Sequence, residues 1–167
     1  MRQRGLGALL YALAAGWILG GVGAAAGAES FAAKASAVRV IDGDTLDVGG
    51  VRVRLHGIDA PETKQPCLNG SNVVYLCGQA ATKALREMVR GKDVRCEPRD
   101  RDRYGRVVAV CRADGADINE HLVREGRAVA YRQYSRDYVA TEDEARRERR
   151  GLWAGEFVPP AEFRRRR

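Results

Sequence analysis

The chain is 167 residues long, with 29 Lys or Arg against 22 Asp or Glu and a formal net charge of +7. That length accommodates one domain with a hydrophobic core of its own. The basic excess draws the molecule toward polyanions, nucleic acid first and anionic membrane surface second, and no segment after residue 28 is apolar enough to span a bilayer.

Met1 to Arg4 carries two arginines, and Gly5 to Ala28 is a run of 24 residues without a charge, closing on Ala26-Gly27-Ala28 before Glu29. A positive n-region, an apolar h-region and a small-residue cleavage site predict an export signal over residues 1–28. The alternative is an uncleaved anchor, because 24 uncharged residues suffice to cross a bilayer. Arg2 and Arg4 are the only charges in that segment, so its removal takes the net charge from +7 to +5 and leaves a basic protein. The expected location is periplasmic or secreted, or membrane-tethered if the signal stays.

From Val38 to Thr63, alternating apolar residues (Val38, Val40; Leu46, Val48; Val51, Val53, Leu55) are broken by the turn pairs Gly43-Asp44 and Gly49-Gly50, which predicts a three-strand meander. With a strand period of two, Asp42 and Asp44 share a face, and Asp59 and Glu62 arrive where the third run meets Pro61. Crowded carboxylates repel one another unless positive charge sits between them. A hard divalent cation such as Ca2+ collects such oxygen ligands.

Lys64 to Tyr75 is expected as a polar surface loop. Ala81, Ala84, Leu85 and Met88 have the spacing of one helical face, predicting a helix over Gly78 to Arg90 that Gly91 stops. Val94–Glu97 and Val107–Cys111 are expected to pair as a hairpin around the charged turn Arg99 to Gly105. Asp117 and Glu120 form a capping box for a short helix with Ile118, Leu122 and Val123, ending at Gly126. A last helix is expected from near Ser135 to Arg150, followed by an apolar tuck of Leu152, Trp153 and Phe157. Residues 161–167, ending in four arginines, are expected as a disordered, solvated tail. No internal repeat is visible. The sum is an α+β domain over residues 29–160 built on a five-stranded antiparallel barrel of the OB-fold type.

Four cysteines, Cys67, Cys77, Cys96 and Cys111, lie after the export signal. An even count in an oxidising compartment favours two disulfides. The spacings do not form a zinc ligand set, and His56 and His121 fall on a strand and in a helical segment, placed for structure rather than as bases for a catalytic thiol. Cys96 and Cys111 flank the predicted hairpin symmetrically about Arg103 and Tyr104, so they face each other across it. Cys67 and Cys77 are then left to close the polar loop after Glu62.

The ordered motifs I-D-G-D-T (41–45), R-L-x-G-I-D-x-P-E-T (54–63), R-Y-G-R (103–106), L-V-R-E-G-R-A-x-A-Y (122–131) and G-L-W (151–153) resemble those of the thermonuclease, or staphylococcal-nuclease-like (SNase-like), secreted nucleases. Each piece alone is weak; the ordered set covers nearly all of the chain after residue 37 and is specific. The resemblance implies an OB barrel carrying three helices, and a Ca2+-dependent endonuclease that acts on DNA and RNA and leaves 3′-phosphates. It implies Asp44, Asp59 and the carbonyl of Ala60 as metal ligands, Glu62 as general base, Arg54 and Arg106 on the phosphate, and Arg103, Tyr104 and Tyr131 as substrate contacts. Ala60 stands where the family often has threonine, Arg103 where it usually has lysine, and Gln133 where it has a second tyrosine, with Tyr134 one position off. The implied partner is nucleic acid, single-stranded DNA or RNA, bound by a monomer with no stable protein partner.

Two rival readings are a non-catalytic OB-fold nucleic-acid binder and an EF-hand calcium protein. The first is expected to lose one of Asp44, Arg54, Asp59, Glu62 or Arg106, and all five are present. The second fails because an EF-hand loop begun at Asp42 puts Val53 where a bidentate glutamate is needed.

Overall fold

The meander forms where the alternating apolar residues put it. In the computed structural model, which describes residues 29–166, Leu46, Val48, Val53 and Leu55 turn one face into the core while Arg39, Asp47 and Arg52 ride the other side. The predicted export signal lies outside the described residues. In chain order the elements are β1 (Phe31–Ala33), a 3-10 turn (Ala35–Ala37), β2 (Val38–Val40), β3 (Thr45–Val48), β4 (Val51–Leu55), β5 (Ile58–Asp59), β6 (Pro66–Leu68), β7 (Val74–Leu76) and α1 (Cys77–Val89). There follow β8 (Val94–Arg101), β9 (Val107–Ala113), β10 (Ala116–Asp117), α2 (Ile118–Arg124), β11 (Val129–Ala130), α3 (Val139–Arg147), a second 3-10 turn (Gly151–Ala154) and α4 (Pro160–Arg165).

The main sheet runs β1-β8-β9-β4-β3-β2, with β10 added beside β9. Its pairs are antiparallel except β4 with β9, which is parallel in the register Val53 to Val107 and Leu55 to Ala109. The expected closed, all-antiparallel five-stranded barrel is therefore replaced by an open mixed sheet of seven strands. The reason is the connection: between β4 and β9 the chain passes through α1 and β8, long enough to re-enter in the same direction. Among the described residues there are four α-helices rather than three.

Ala81, Leu85 and Val89 fall on one stripe of α1 and are buried, joining the sheet core with Ile118, Leu122 and Val123 of α2. Half of the capping box forms: the Asp117 carboxylate accepts from the Glu120 backbone N–H at 2.9 Å, while the Glu120 carboxylate pairs with Arg124 on the next turn. The β8–β9 hairpin is longer than expected. It pairs out to Arg101 and Val107 across a bulge at Pro98–Asp100, so its turn shrinks to Asp102–Arg106. The helix expected from near Ser135 to Arg150 is α3, Val139–Arg147; it starts late because the Tyr134 and Ser135 N–H groups turn back onto the Tyr131 carbonyl. The polar loop is not irregular either, since β6 and β7 pair as a small hairpin.

Both cysteine pairs form. Cys96 and Cys111 are directly opposed on β8 and β9, fully buried in the main core. Cys67 and Cys77 tie β6 to the start of α1, in a separate small cluster with Leu152, Tyr75, Val129 and Phe157.

Candidate active site

Asp44 enters β3, Arg54 lies on β4 beside Thr45 in register, and Asp59 ends β5, so three sequence-distant polar side chains meet at one end of the meander. Arg54 Nη2 donates to Asp59 Oδ1 at 3.0 Å, and Arg54 Nη1 lies 2.7 Å from Asp44 Oδ2. That second contact pairs charge without hydrogen-bond alignment, leaving a buried guanidinium nitrogen with no aligned acceptor among the described residues. Ala60 donates its N–H to Asp44 Oδ2 at 2.8 Å. Gly43 makes this closeness possible: a Cβ there would lie 2.8 Å from the Ala60 Cβ and 2.9 Å from the Ala81 Cβ.

Burial above all, with like-charge repulsion from Asp42 and Asp59, outweighs the pull of Arg54 and the Ala60 N–H and raises the Asp44 carboxyl to about 6. The carboxylates of this corner thus need positive charge, and guanidinium groups supply it here.

Glu62 leaves the sheet and is held by its backbone. Its N–H donates to Gln65 Oε1 at 3.2 Å, its carbonyl accepts from the Gln65 N–H at 2.7 Å, and Gln65, fully buried, donates through Nε2 to the Val158 carbonyl at 2.7 Å. The first turn of α1 packs so closely that a Cβ on Gly78 would sit 1.9 Å from the Glu62 carbonyl oxygen. The Glu62 side chain is about a third exposed, and its Oε1 accepts from Arg164 Nη1 at 3.0 Å.

Arg106 reaches the same corner from the β8–β9 turn. Its Nε donates to Asp102 Oδ2 at 2.7 Å and its Nη1 to Thr45 Oγ1 at 3.4 Å, while Thr45 Oγ1 donates to Asp44 Oδ1 at 3.2 Å. Tyr104 is exposed at the tip of that turn, with the guanidinium carbons of Arg103 and Arg106 4.9 and 5.7 Å from its ring centroid. Tyr131 follows β11, which pairs with β5 so that Val129 lies opposite Asp59 and Ala130 opposite Ile58, and its N–H donates to the Gly57 carbonyl at 2.8 Å. Its ring meets that of exposed Tyr134 edge-on at 4.7 Å. The aromatic partner is therefore Tyr134, not position 133.

The structure thus gathers Asp44, Arg54, Asp59 and Ala60 directly, Arg106 through Thr45 and Glu62 through Arg164. Arg103 and Tyr104 join only by way of Arg106. His56 pairs with Asp137 at 3.3 Å, away from this cluster, consistent with a structural place.

Three contributors escape sequence reading. Glu142, fully buried on α3, accepts from the Ala130 N–H at 3.0 Å and pairs with Arg132 and Arg146, fixing the strand that leads to Tyr131. Gln65 is the second; a Gln in a polar stretch carries no pattern. The third is Arg164. Rather than a solvated tail, residues 160–165 form α4, and Arg164 forks onto Asp59, Nη2 to Oδ2 at 2.9 Å and Nη1 to Oδ1 at 3.0 Å. Burial works against its charge, but hydrogen bonds and attraction from Asp59 and Glu62 outweigh that and raise its pKa further above the ordinary arginine value. A run of arginines looks solvated until the carboxylate pair it can reach is known.

Among the described residues no group of three or more His, Cys, Asp or Glu side chains is placed to hold a metal ion. The carboxylate donors at Asp44 and Asp59 are nonetheless oxygen only, on side chains that are almost wholly buried. That chemistry suits a hard cation completed by backbone oxygens and water, not a nitrogen- or sulfur-seeking metal.

An open mixed sheet with helices, bearing a carboxylate–guanidinium cluster at the end of its meander, places the chain in an α+β class with a polar site at a strand end. Residues 52–155 match the family model described as Staphylococcal nuclease homologue, and the chain belongs to that family. An "Uncharacterized endonuclease" of Escherichia coli is 41% identical over 131 residues, 74% of this chain and 79% of that protein. "Succinoglycan biosynthesis protein ExoI" of Rhizobium meliloti is 40% identical over 117 residues, 68% of this chain but only 61% of its own length. A "Micrococcal nuclease" of Shigella flexneri is 37% identical over 134 residues, 70% of this chain and 71% of that protein. The family and the names of the Escherichia coli and Shigella flexneri relatives support a nuclease. Among the described residues no helix is long and apolar enough to cross a membrane.

Proposed function

We propose that the protein is an exported, Ca2+-dependent endonuclease that hydrolyses DNA and RNA, cutting the P–O5′ bond to leave 3′-phosphates. The observation that carries the reading is the convergence of Asp44, Asp59 and Glu62 with Arg54 and, through Thr45, Arg106 at one corner. Asp44, Asp59 and the Ala60 carbonyl would hold Ca2+, which when bound neutralises the phosphate and polarises it for attack.

Glu62, on a backbone clamped by Gln65 and α1, takes the proton of the attacking water. Arg54 and Arg106 offer forked, permanently charged donors to the phosphate oxygens and to the charge that builds on them. Arg103 serves a terminal phosphate, and Tyr104 and Tyr131 offer ring faces on which any base stacks, giving sequence-tolerant binding. Two disulfides accord with an oxidising compartment.

The test is digestion of single-stranded DNA, duplex DNA and RNA with Ca2+, with Mg2+ and with chelator. The expected result is cleavage with Ca2+, little with Mg2+, whose tight octahedron suits this open oxygen set poorly, and none with chelator. Undiminished turnover in chelator, or equal turnover in Mg2+ alone, overturns the reading.

A further inference from the structure

We propose that Arg164 is a built-in competitor for the cation: it holds Asp59 and Glu62 in the resting protein and must leave them before the site can work. The inference rests on the calcium reading above.

Asp59 is almost wholly buried, and both its oxygens are taken, Oδ2 by Arg164 and Oδ1 by Arg164 and Arg54 together. A cation can reach Asp59 only if one guanidinium yields. Arg54 stands on β4, hydrogen-bonded between β3 and β9, and its side chain is largely buried, so it stays. Arg164 is the one built to move. Its side chain is more than a third exposed, on a six-residue helix that follows Pro159. The chain before it is pinned by Leu68 N–H to the Glu156 carbonyl and by Gln65 to the Val158 carbonyl, which sets the hinge between 158 and 160.

The contact opposes the reaction twice. It fills the Asp59 oxygens a cation needs, and it occupies the Glu62 oxygen that would take the proton of the attacking water. Release is favoured when a divalent charge takes over Asp59 and when phosphates arrive, because the run Arg164 to Arg167 then gains a new anionic partner. The device would keep the site quiet until cation and nucleic acid are both present.

Calorimetric titration of the full chain with CaCl2, without nucleic acid, compares wild type with Arg164→Ala. The variant should bind Ca2+ about tenfold more tightly, the scale of removing one charge-assisted hydrogen-bonded competitor. Equal or weaker binding by the variant overturns the proposal and leaves the calcium reading standing. Absence of binding in both proteins overturns both readings. Hydrogen exchange on the wild type needs no variant: saturating Ca2+ should increase deuterium uptake over residues 160–166, and unchanged or reduced uptake there overturns the competitor role even if the variant fails to fold.

Discussion

The two disulfides mark two regions that hold the candidate site in different ways. Cys96–Cys111 lies in the main core between paired strands, with Leu46, Val53, Leu85 and Leu122 fully buried around the same sheet. Cys67–Cys77 lies in a small cluster whose one other buried member among the described residues is Leu152. Asp44, Arg54 and Asp59 belong to the first region, fixed by the registers of β3, β4 and β5. Glu62 belongs to the second, where its place depends on Gln65, Gly78 and the hairpin that the disulfide closes. The lesson is that charge neutralisation rides on the rigid sheet, while the proposed base rides on a patch with few apolar contacts to spare.

The largest expected effect falls on the two residues that bring the regions to bear on the phosphate. Glu62→Gln and Arg106→Ala should each lower turnover by roughly 10^2-fold or more, the scale for a general base or a transition-state charge partner. Both side chains are partly exposed, so thermal melts should shift only slightly. Near-normal turnover in either variant would remove that residue from the mechanism.

The disulfides then separate the regions. Replacing Cys96 and Cys111 by serine, or Cys67 and Cys77 by serine, should each cost about 2–4 kcal/mol by freeing the unfolded chain. Only the second pair should also lower specific activity well below its melting temperature, because Glu62 loses its support. Equal activity in both double variants, measured beside denaturant melts, would mean the small cluster does not position Glu62. A smaller probe of the same point is Gly78→Ala. Its Cβ would meet the Glu62 carbonyl oxygen at 1.9 Å, so helix and loop must part. An overpacking loss of about 1–3 kcal/mol is expected, together with reduced turnover.

The legibility of the fold follows the same division. The meander, α1, the Asp117 cap and the Cys96–Cys111 pairing are local patterns of period, cap and symmetry, and the structure keeps them. The parallel β4–β9 pair is not local; it depends on how α1 and β8 bring the chain back, which no short-range signal encodes. At the site, the motifs mark Asp44, Arg54, Asp59, Glu62 and Arg106, and the structure brings them together. Gln65, Glu142 and Arg164 are invisible beforehand because none belongs to a motif or periodic pattern, and two of them reach far along the chain, Gln65 to Val158 and Arg164 from 105 residues beyond Asp59. A single polar residue carries no periodicity to announce its partner.

The smallest effect concerns how Arg106 is aimed. Burial pushes the Asp102 carboxyl up, but hydrogen bonds from the Arg106 side chain and from the Arg106 and Tyr104 backbones outweigh it and hold the carboxyl below its usual range. A carboxylate depressed in the folded chain binds protons more readily when unfolded. Its stabilisation is therefore complete above the unfolded value of about 3.9 and is lost as pH falls through the lower, folded value. Wild type should accordingly exceed Asp102→Asn in denaturant stability by a constant margin at neutral pH, and that margin should shrink on acidification below about pH 4. The group is near the surface and on a turn, so the margin is small. A margin that does not change with pH would show that the amide holds the turn as well as the charge does, and that the Arg106 side chain is aimed by the turn's backbone rather than by its pairing with Asp102.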